Sequence, residues 1–252
     1  MNEAVREPVA ARRPRSESRV DHQPAFVLHA YPWRETSLIV EALSRDHGRV
    51  ALVARGAKRG TSQLRGLLSP VSALALGWSG RGEVKTLIRA EWTGGLVPLR
   101  GDALLAGFYV NELMVRLLAR ADAHPLLFGA YARTLRALAG DEEPLELALR
   151  RFEFELLRET GHLPALDVCA DGEAVSPRAR YRVDPQRGLV REAGDSEAVS
   201  VSGETALAMA AGDFARHGVA AESRAMLRLI IRYHLDGRPL NTRRILRDLR
   251  EL

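Results

Sequence analysis

Cysteine is nearly absent from this chain of 252 residues: only Cys169 occurs. A single thiol excludes an internal disulfide framework, an iron–sulfur cluster and a Cys-rich zinc site, and it suits a reducing cytosol. No apolar run approaches the ~18 residues of a membrane-spanning helix, which excludes an integral membrane role. The opening residues, MNEAVREPVAARRPRSESR, have arginines but no apolar segment after them, so they do not read as a secretory signal. Catalytic signatures are missing as well. Gly56–Ser62 (GAKRGTS) holds the residues of a phosphate loop in the wrong order, and no GxxxxGK[ST] occurs. Gly77-Trp78-Ser79-Gly80 is too short for a nucleophile elbow. The seven histidines are scattered, with no HExxH and no metal-ligand spacing. His162 and Cys169 are the nearest pair, and two ligands do not make a structural zinc site. Asp141–Glu143 reads as a helix start. No catalytic residue, metal or cofactor is expected.

Acids are missing from one long stretch. Between Asp46 and Glu83 there is none in 36 residues, although the chain has 32 in all. The same stretch holds Arg49, Arg55, Lys58, Arg59, Arg65 and Arg81. Residues 25–97 carry ten bases against five acids, which equals the whole chain's net charge of +5; residues 98–160 carry eight against ten. A field of one sign attracts polyanions and speeds their association. Only two of the 37 bases are lysines. That is read first as a codon-composition effect and second as a choice of arginine for phosphate forks.

Apolar patterning divides the chain. Residues 1–24 are polar, with Pro8, Pro14 and Pro24 and no period, and read as a disordered basic arm. Residues 25–97 read as strands: Phe26–Leu43, with Pro32 marking a bulge or break, then Arg49–Ala54, Val71–Trp78 and Val84–Trp92. Ser79-Gly80-Arg81-Gly82 joins the last two as a hairpin. Four or five short strands in about 70 residues suit a small Greek-key barrel, of which the oligonucleotide/oligosaccharide-binding (OB) barrel is the commonest with a nucleic-acid role. Residues 98–252 turn helical. Leu105, Phe108, Tyr109, Leu113 and Leu117 share one face, and Leu145, Leu149, Phe152 and Leu156 another. An irregular insert at about 165–200 holds a small hairpin, Arg180–Val183 with Leu189–Arg191, and helices return at 203–215, 221–235 and 241–252. The expected fold is α+β: an N-terminal OB-fold barrel, then a mostly helical domain.

Trp33, Trp78 and Trp92 all fall in the strand segment, with Tyr31. Singly, each tryptophan reads as a core residue. Together with the arginines, they are also the ring faces on which unpaired bases stack while the cations track the backbone. Two classes of binder fit this pattern: a DNA-binding protein, and an RNA-binding OB module with a helical regulatory domain. A nuclease is a third reading, and no carboxylate spacing here supplies its metal site.

Several blocks carry a family resemblance. FVLHAYPWRETSLIVEALSRDHGRVALVARGAKR (Phe26–Arg59), SGRGEVKTLIRAE (Ser79–Glu91), AGFYVNELMVRLL (Ala106–Leu118) and LRRFEFELLRETGHLP (Leu149–Pro164) occur in order. They are similar to the bacterial recombination mediator family RecO over roughly residues 25–170, with a weaker continuation to about 250. The resemblance implies DNA repair by homologous recombination. It implies binding of single- and double-stranded DNA, annealing of complementary strands, and RecA loading on DNA coated by the single-stranded-DNA-binding protein (SSB), together with RecR. It also implies a cytoplasmic, nucleoid-associated location. Some members carry a four-cysteine zinc site; here only Cys169 stands in that region, so the hairpin is expected to be a zinc-ribbon remnant held by packing. Arg49, Arg55, Lys58, Arg59, Arg65 and Arg81 are the DNA-binding candidates. Arg243, Arg244, Arg247 and Arg250 are candidates for a second strand, or the solvated face of the last helix. For the acidic SSB tail, an apolar pocket rimmed by arginine is required, and Arg150, Arg151 and Phe152 in the LRRFE block are the candidates. The same arginines could pair instead with Glu146, Glu153 or Glu155 on their own helix.

Overall fold

The computed structural model describes residues 19–140, 143–192 and 198–242. Five strands close into a barrel: β1 (Arg19–Trp33), β2 (Ser37–Ser44), β3 (Gly48–Ala54), β4 (Ala73–Ser79) and β5 (Val84–Trp92), in the order β1-β2-β3-β5-β4. A short helix, α1 (Leu64–Leu67), sits between β3 and β4. Only β3 and β5 run parallel; every other pair is antiparallel. Side chains alternate across each strand, so Val27, Val40, Ala42, Val50, Leu52, Leu74, Leu76 and Trp78 fill the interior.

The arm was expected to run to Pro24, but β1 begins at Arg19, and Arg19–Pro24 pairs with β4 through Ser79–Ala75. Strand pairing is long-range, so a polar edge with no apolar run of its own gives no local signal. Residues 1–18 lie outside the described residues. The irregularities in β1 fall between Val20 and Gln23 against β4 and between Val27 and His29 against β2, not at Pro32, which pairs with Leu38 just before the β1–β2 turn. A strand end next to a turn tolerates proline.

The helical region contains α2 (Gly101–Leu117), α3 (Pro125–Ala139), α4 (Leu145–Glu159), α5 (Gly203–Ala210) and α6 (Val219–His234). The insert between α4 and α5 is a three-stranded sheet, β7-β6-β8, from β6 (Arg180–Asp184), β7 (Gly188–Arg191) and β8 (Ser200–Ser202). Its hairpin was anticipated; β8 was not, because three residues carry too little pattern. Among the described residues, no group of three or more His, Cys, Asp and Glu could hold a metal. Cys169 is buried, and that burial raises its thiol pKa. No described helix is long and apolar enough to cross a membrane.

The outer face of the barrel is also a packing surface. Phe26, Leu28 and Leu43 belong to the helical core, with Tyr109, Leu113, Tyr131 and Phe152. The Phe26 ring lies 5.0 Å from both Phe128 and Tyr131. Asn111 of α2 donates to the Leu28 carbonyl (2.8 Å) and accepts from the Tyr131 hydroxyl (2.5 Å), so its buried amide is satisfied on both sides. At the same junction Gly48 has φ +64, and a Cβ there would stand 1.8 Å from the Asp122 carbonyl oxygen. Only glycine permits that approach.

Candidate nucleic-acid interface

Register identifies a second outward surface of the barrel, exposed along β1 and β5 and covered at Glu41, Ile39, Ser37 and Ala51. In β1, Ala30 packs toward the barrel interior, so His29, Tyr31 and Trp33 point outward. Their cross-strand partners on β2 are Glu41, Ile39 and Ser37. Ile39 pairs onward with Val53, Val53 with Thr86, and Ala51 with Val84. The outer surface of β1, β2, β3 and β5 is therefore one sheet face. The His29 and Tyr31 rings stack at 5.9 Å, Trp33 is 44 % exposed, and Val84 and Ile88 are exposed on β5.

The basic loop joins this face at one rim. The Lys58 amide donates to the Thr36 carbonyl at 2.9 Å, which ties the segment after β3 to the β1–β2 turn. Arg34 in that turn is exposed, with φ +53, a conformation that non-glycine residues seldom take. Arg55, Lys58, Arg59 and Arg65 are all exposed, and among the described residues none is ion-paired with a carboxylate. The Arg59 side chain lies over Gly56, within 3.7 Å of where a Cβ would sit. Arg81 is exposed in the β4–β5 turn. That turn precedes Val84, which pairs in parallel with Ala51 at the middle of β3, so Arg81 lies toward the start of β3 and occupies the rim away from Arg55.

Arg49 does not belong to this set. Its guanidinium donates to Glu41 at 2.8 Å and to the Leu118 carbonyl at 3.1 Å, and its side chain is only 13 % exposed. Arg120 also pairs with Glu41 and with Glu83. This cluster joins the barrel to the end of α2. Four side chains from distant parts of the chain, Glu41, Arg49, Glu83 and Arg120, meet there, and no local pattern announces it.

The tryptophans divide. Trp78 is core, 1 % exposed, whereas Trp33 and Trp92 (69 %) stand at strand ends. Trp33 follows two aromatic residues at period two, His29 and Tyr31, and that alternation was the available signal.

The tail-binding candidates also separate. Arg150 is turned inward, 11 % exposed, and pairs with buried Glu153 at 2.6 Å. Phe152 is buried. Glu153 also accepts from the Tyr109 hydroxyl (2.5 Å), so Arg150 serves the core. Arg151 faces out and meets Glu143 at 3.0 Å. It lines a depression of about 70 Å³ between α3 and α4, with Arg133, Thr134, Ala137, Phe152 and Glu155. Arg133, on the facing helix, had no sequence signal. Arg243, Arg244, Arg247 and Arg250 lie outside the described residues.

Comparisons with known proteins agree with this architecture. The model of the recombination protein O N-terminal region matches residues 19–96, and that of its C-terminal region matches residues 99–244. The chain is 54 % identical over 241 residues to the DNA repair protein RecO of Ralstonia nicotianae, covering 94 % of this chain and 88 % of that protein. It is 55 % identical over 237 residues to RecO of Aromatoleum aromaticum, covering 93 % and 98 %, and 52 % identical over 246 residues to RecO of Paraburkholderia xenovorans, covering 96 % and 82 %. Two adjoining family matches and near-full-length relatives above half identity show that the chain belongs to the RecO family of DNA repair and recombination proteins.

Proposed function

We propose that the protein acts as a recombination mediator that holds single-stranded DNA on this outward barrel face and anneals it to a complementary strand. One observation carries this reading: an outward ladder of His29, Tyr31 and Trp33 adjoins a loop whose exposed cations lack carboxylate partners among the described residues. Bases stack on the rings while Arg55, Lys58, Arg59 and Arg65 track phosphates. Each neutralised phosphate releases counterions, so binding weakens steeply with salt. The bases stay accessible on a shallow face, which pairing with a second strand requires. No covalent chemistry is involved.

Family membership supports work with RecR, with SSB-coated DNA and with RecA loading, and a cytoplasmic, nucleoid-associated location. For the SSB tail, the candidate pocket is the depression between α3 and α4 with Arg133 and Arg151; Arg150 is committed to buried Glu153, whereas exposed Arg151 would exchange its Glu143 partner for a carboxylate of the tail. The test is annealing of complementary oligonucleotides, bare and SSB-coated, by wild type and by the triple variant Arg55→Glu/Lys58→Glu/Arg59→Glu. The variant is expected to lose single-strand binding by at least tenfold and annealing with it. Unchanged affinity would sink the barrel reading. Matched RNA oligonucleotides decide against the RNA-binding alternative if DNA binds more tightly.

A further inference from the structure

α6 carries Arg224, Arg228 and Arg232 at four-residue intervals, all exposed. With a rise of roughly 1.5 Å per residue they form one stripe about 12 Å long. The other side of the helix, with Ser223, Met226, Leu227, Ile230 and Ile231, is buried. Glu222 is the only acid on α6, and it is turned away: it accepts from the Ser202 amide (2.9 Å), the Ser202 hydroxyl (2.8 Å) and Arg180 (3.0 Å). Among the described residues no carboxylate is ion-paired with the three arginines. On neighbouring helices Arg116, Arg151 and Arg158 each meet a glutamate. Like charges four residues apart on a helix repel; Asp236, four residues beyond Arg232, is the one acid near the end of the stripe, and Arg224 and Arg228 have no carboxylate in ion-pair contact among the described residues.

We propose that this stripe is a second nucleic-acid site, gripping the backbone of the second DNA strand during annealing. The inference rests on the barrel reading for the first strand. A stripe of about 12 Å is long enough to meet more than one phosphate of a single strand. Guanidinium forks match phosphate oxygens. At the far end, Arg232 borders a cavity of about 630 Å³ with Pro185, Leu229, Tyr233, His234 and Asp236. Asp236 repels phosphate there, so the backbone path follows the stripe and not the cavity. Tyr233 is partly exposed, and its hydroxyl accepts from Gln186.

The experiment uses the full chain in four forms: wild type, the barrel triple reversal, Arg224→Glu/Arg228→Glu/Arg232→Glu, and both together. Anisotropy of a labelled oligonucleotide reads first-strand binding. Energy transfer between two non-complementary labelled oligonucleotides reads co-binding. The stripe reversal is expected to change first-strand affinity less than threefold, while co-binding and annealing fall at least tenfold. The barrel reversal should leave a weak, salt-sensitive residue of binding, which the combined variant loses. Replacement of the three arginines by lysine should retain co-binding within a few-fold. If the triple reversal fails to fold, Arg228→Glu alone reads the same co-binding. Residual binding and co-binding unchanged by the stripe reversal would overturn the proposal. So would loss of an acidic SSB-tail peptide with DNA co-binding intact, which would make the stripe a protein-docking surface. If the barrel reversal leaves first-strand affinity unchanged, the barrel reading falls by itself. The stripe then stands or falls on whether its own reversal removes DNA binding.

Discussion

The loop after β3 and helix α4 are both rich in arginine, and they use it in opposite ways. On α4, Arg150 and Arg158 pair with Glu153 and Glu155 of the same helix, and Arg151 reaches back to Glu143. On the barrel loop, Arg55, Lys58, Arg59 and Arg65 have no such partners among the described residues. A paired guanidinium contributes to the fold; one held in water beside aromatic rings remains available to a polyanion. Arginine count alone does not separate the two uses. Arg49, inside the same acid-free stretch, is claimed by Glu41 from the preceding strand.

The comparison can be broken in several ways, beginning with the barrel core. Trp78→Ala is expected to destabilise the protein by about 3–5 kcal/mol, as for a large aromatic removed from a packed interior, read as a lower urea midpoint. Glu41→Gln leaves Arg49 and Arg120 without their shared carboxylate and should cost about 3 kcal/mol or more, since breaking a buried pair strands a charge. Trp33→Ala should leave the urea midpoint in place yet weaken single-strand binding by about 1–3 kcal/mol for the lost base stack; a falling midpoint with unchanged DNA affinity would make Trp33 structural. Arg55→Glu should alter stability by no more than about 0.5 kcal/mol, as surface substitutions do, whereas Arg150→Ala should destabilise clearly.

The smallest effect concerns pH. His162 and His234 lie with ring centroids 4.1 Å apart, and burial lowers both pKa values below the ordinary 6.5. Their neutral forms therefore favour the fold. That contribution is complete above about pH 6.5 and is lost as the pH falls toward the depressed folded values. Melting temperature should fall between pH 7.5 and 5.5, and less so in His162→Gln; an identical fall in the variant would remove this pair as the cause.

Much of the fold was legible. β5 runs over Val84–Trp92 as the alternation indicated; of the expected faces of α2 and α4, Tyr109, Leu113, Phe152 and Leu156 are buried, while Leu105, Phe108, Leu117, Leu145 and Leu149 are half-buried. The first six residues of β1 were not legible, because their strand character comes from pairing with β4. The candidate site was legible in part. The absence of acids pointed to the basic loop, but not to Arg49's diversion or to the approach of Thr36 and Lys58.

The order of elements and the location of excess positive charge are readable along the chain, because periodicity and local composition act over a few residues. Which cations stay uncompensated and which rings face water emerges only when the chain has folded. Those properties depend on partners brought together across the chain: Glu41 beside Arg49 and Arg120, Glu153 beneath Arg150, and Glu222 drawn off the arginine face of α6 by Ser202 and Arg180.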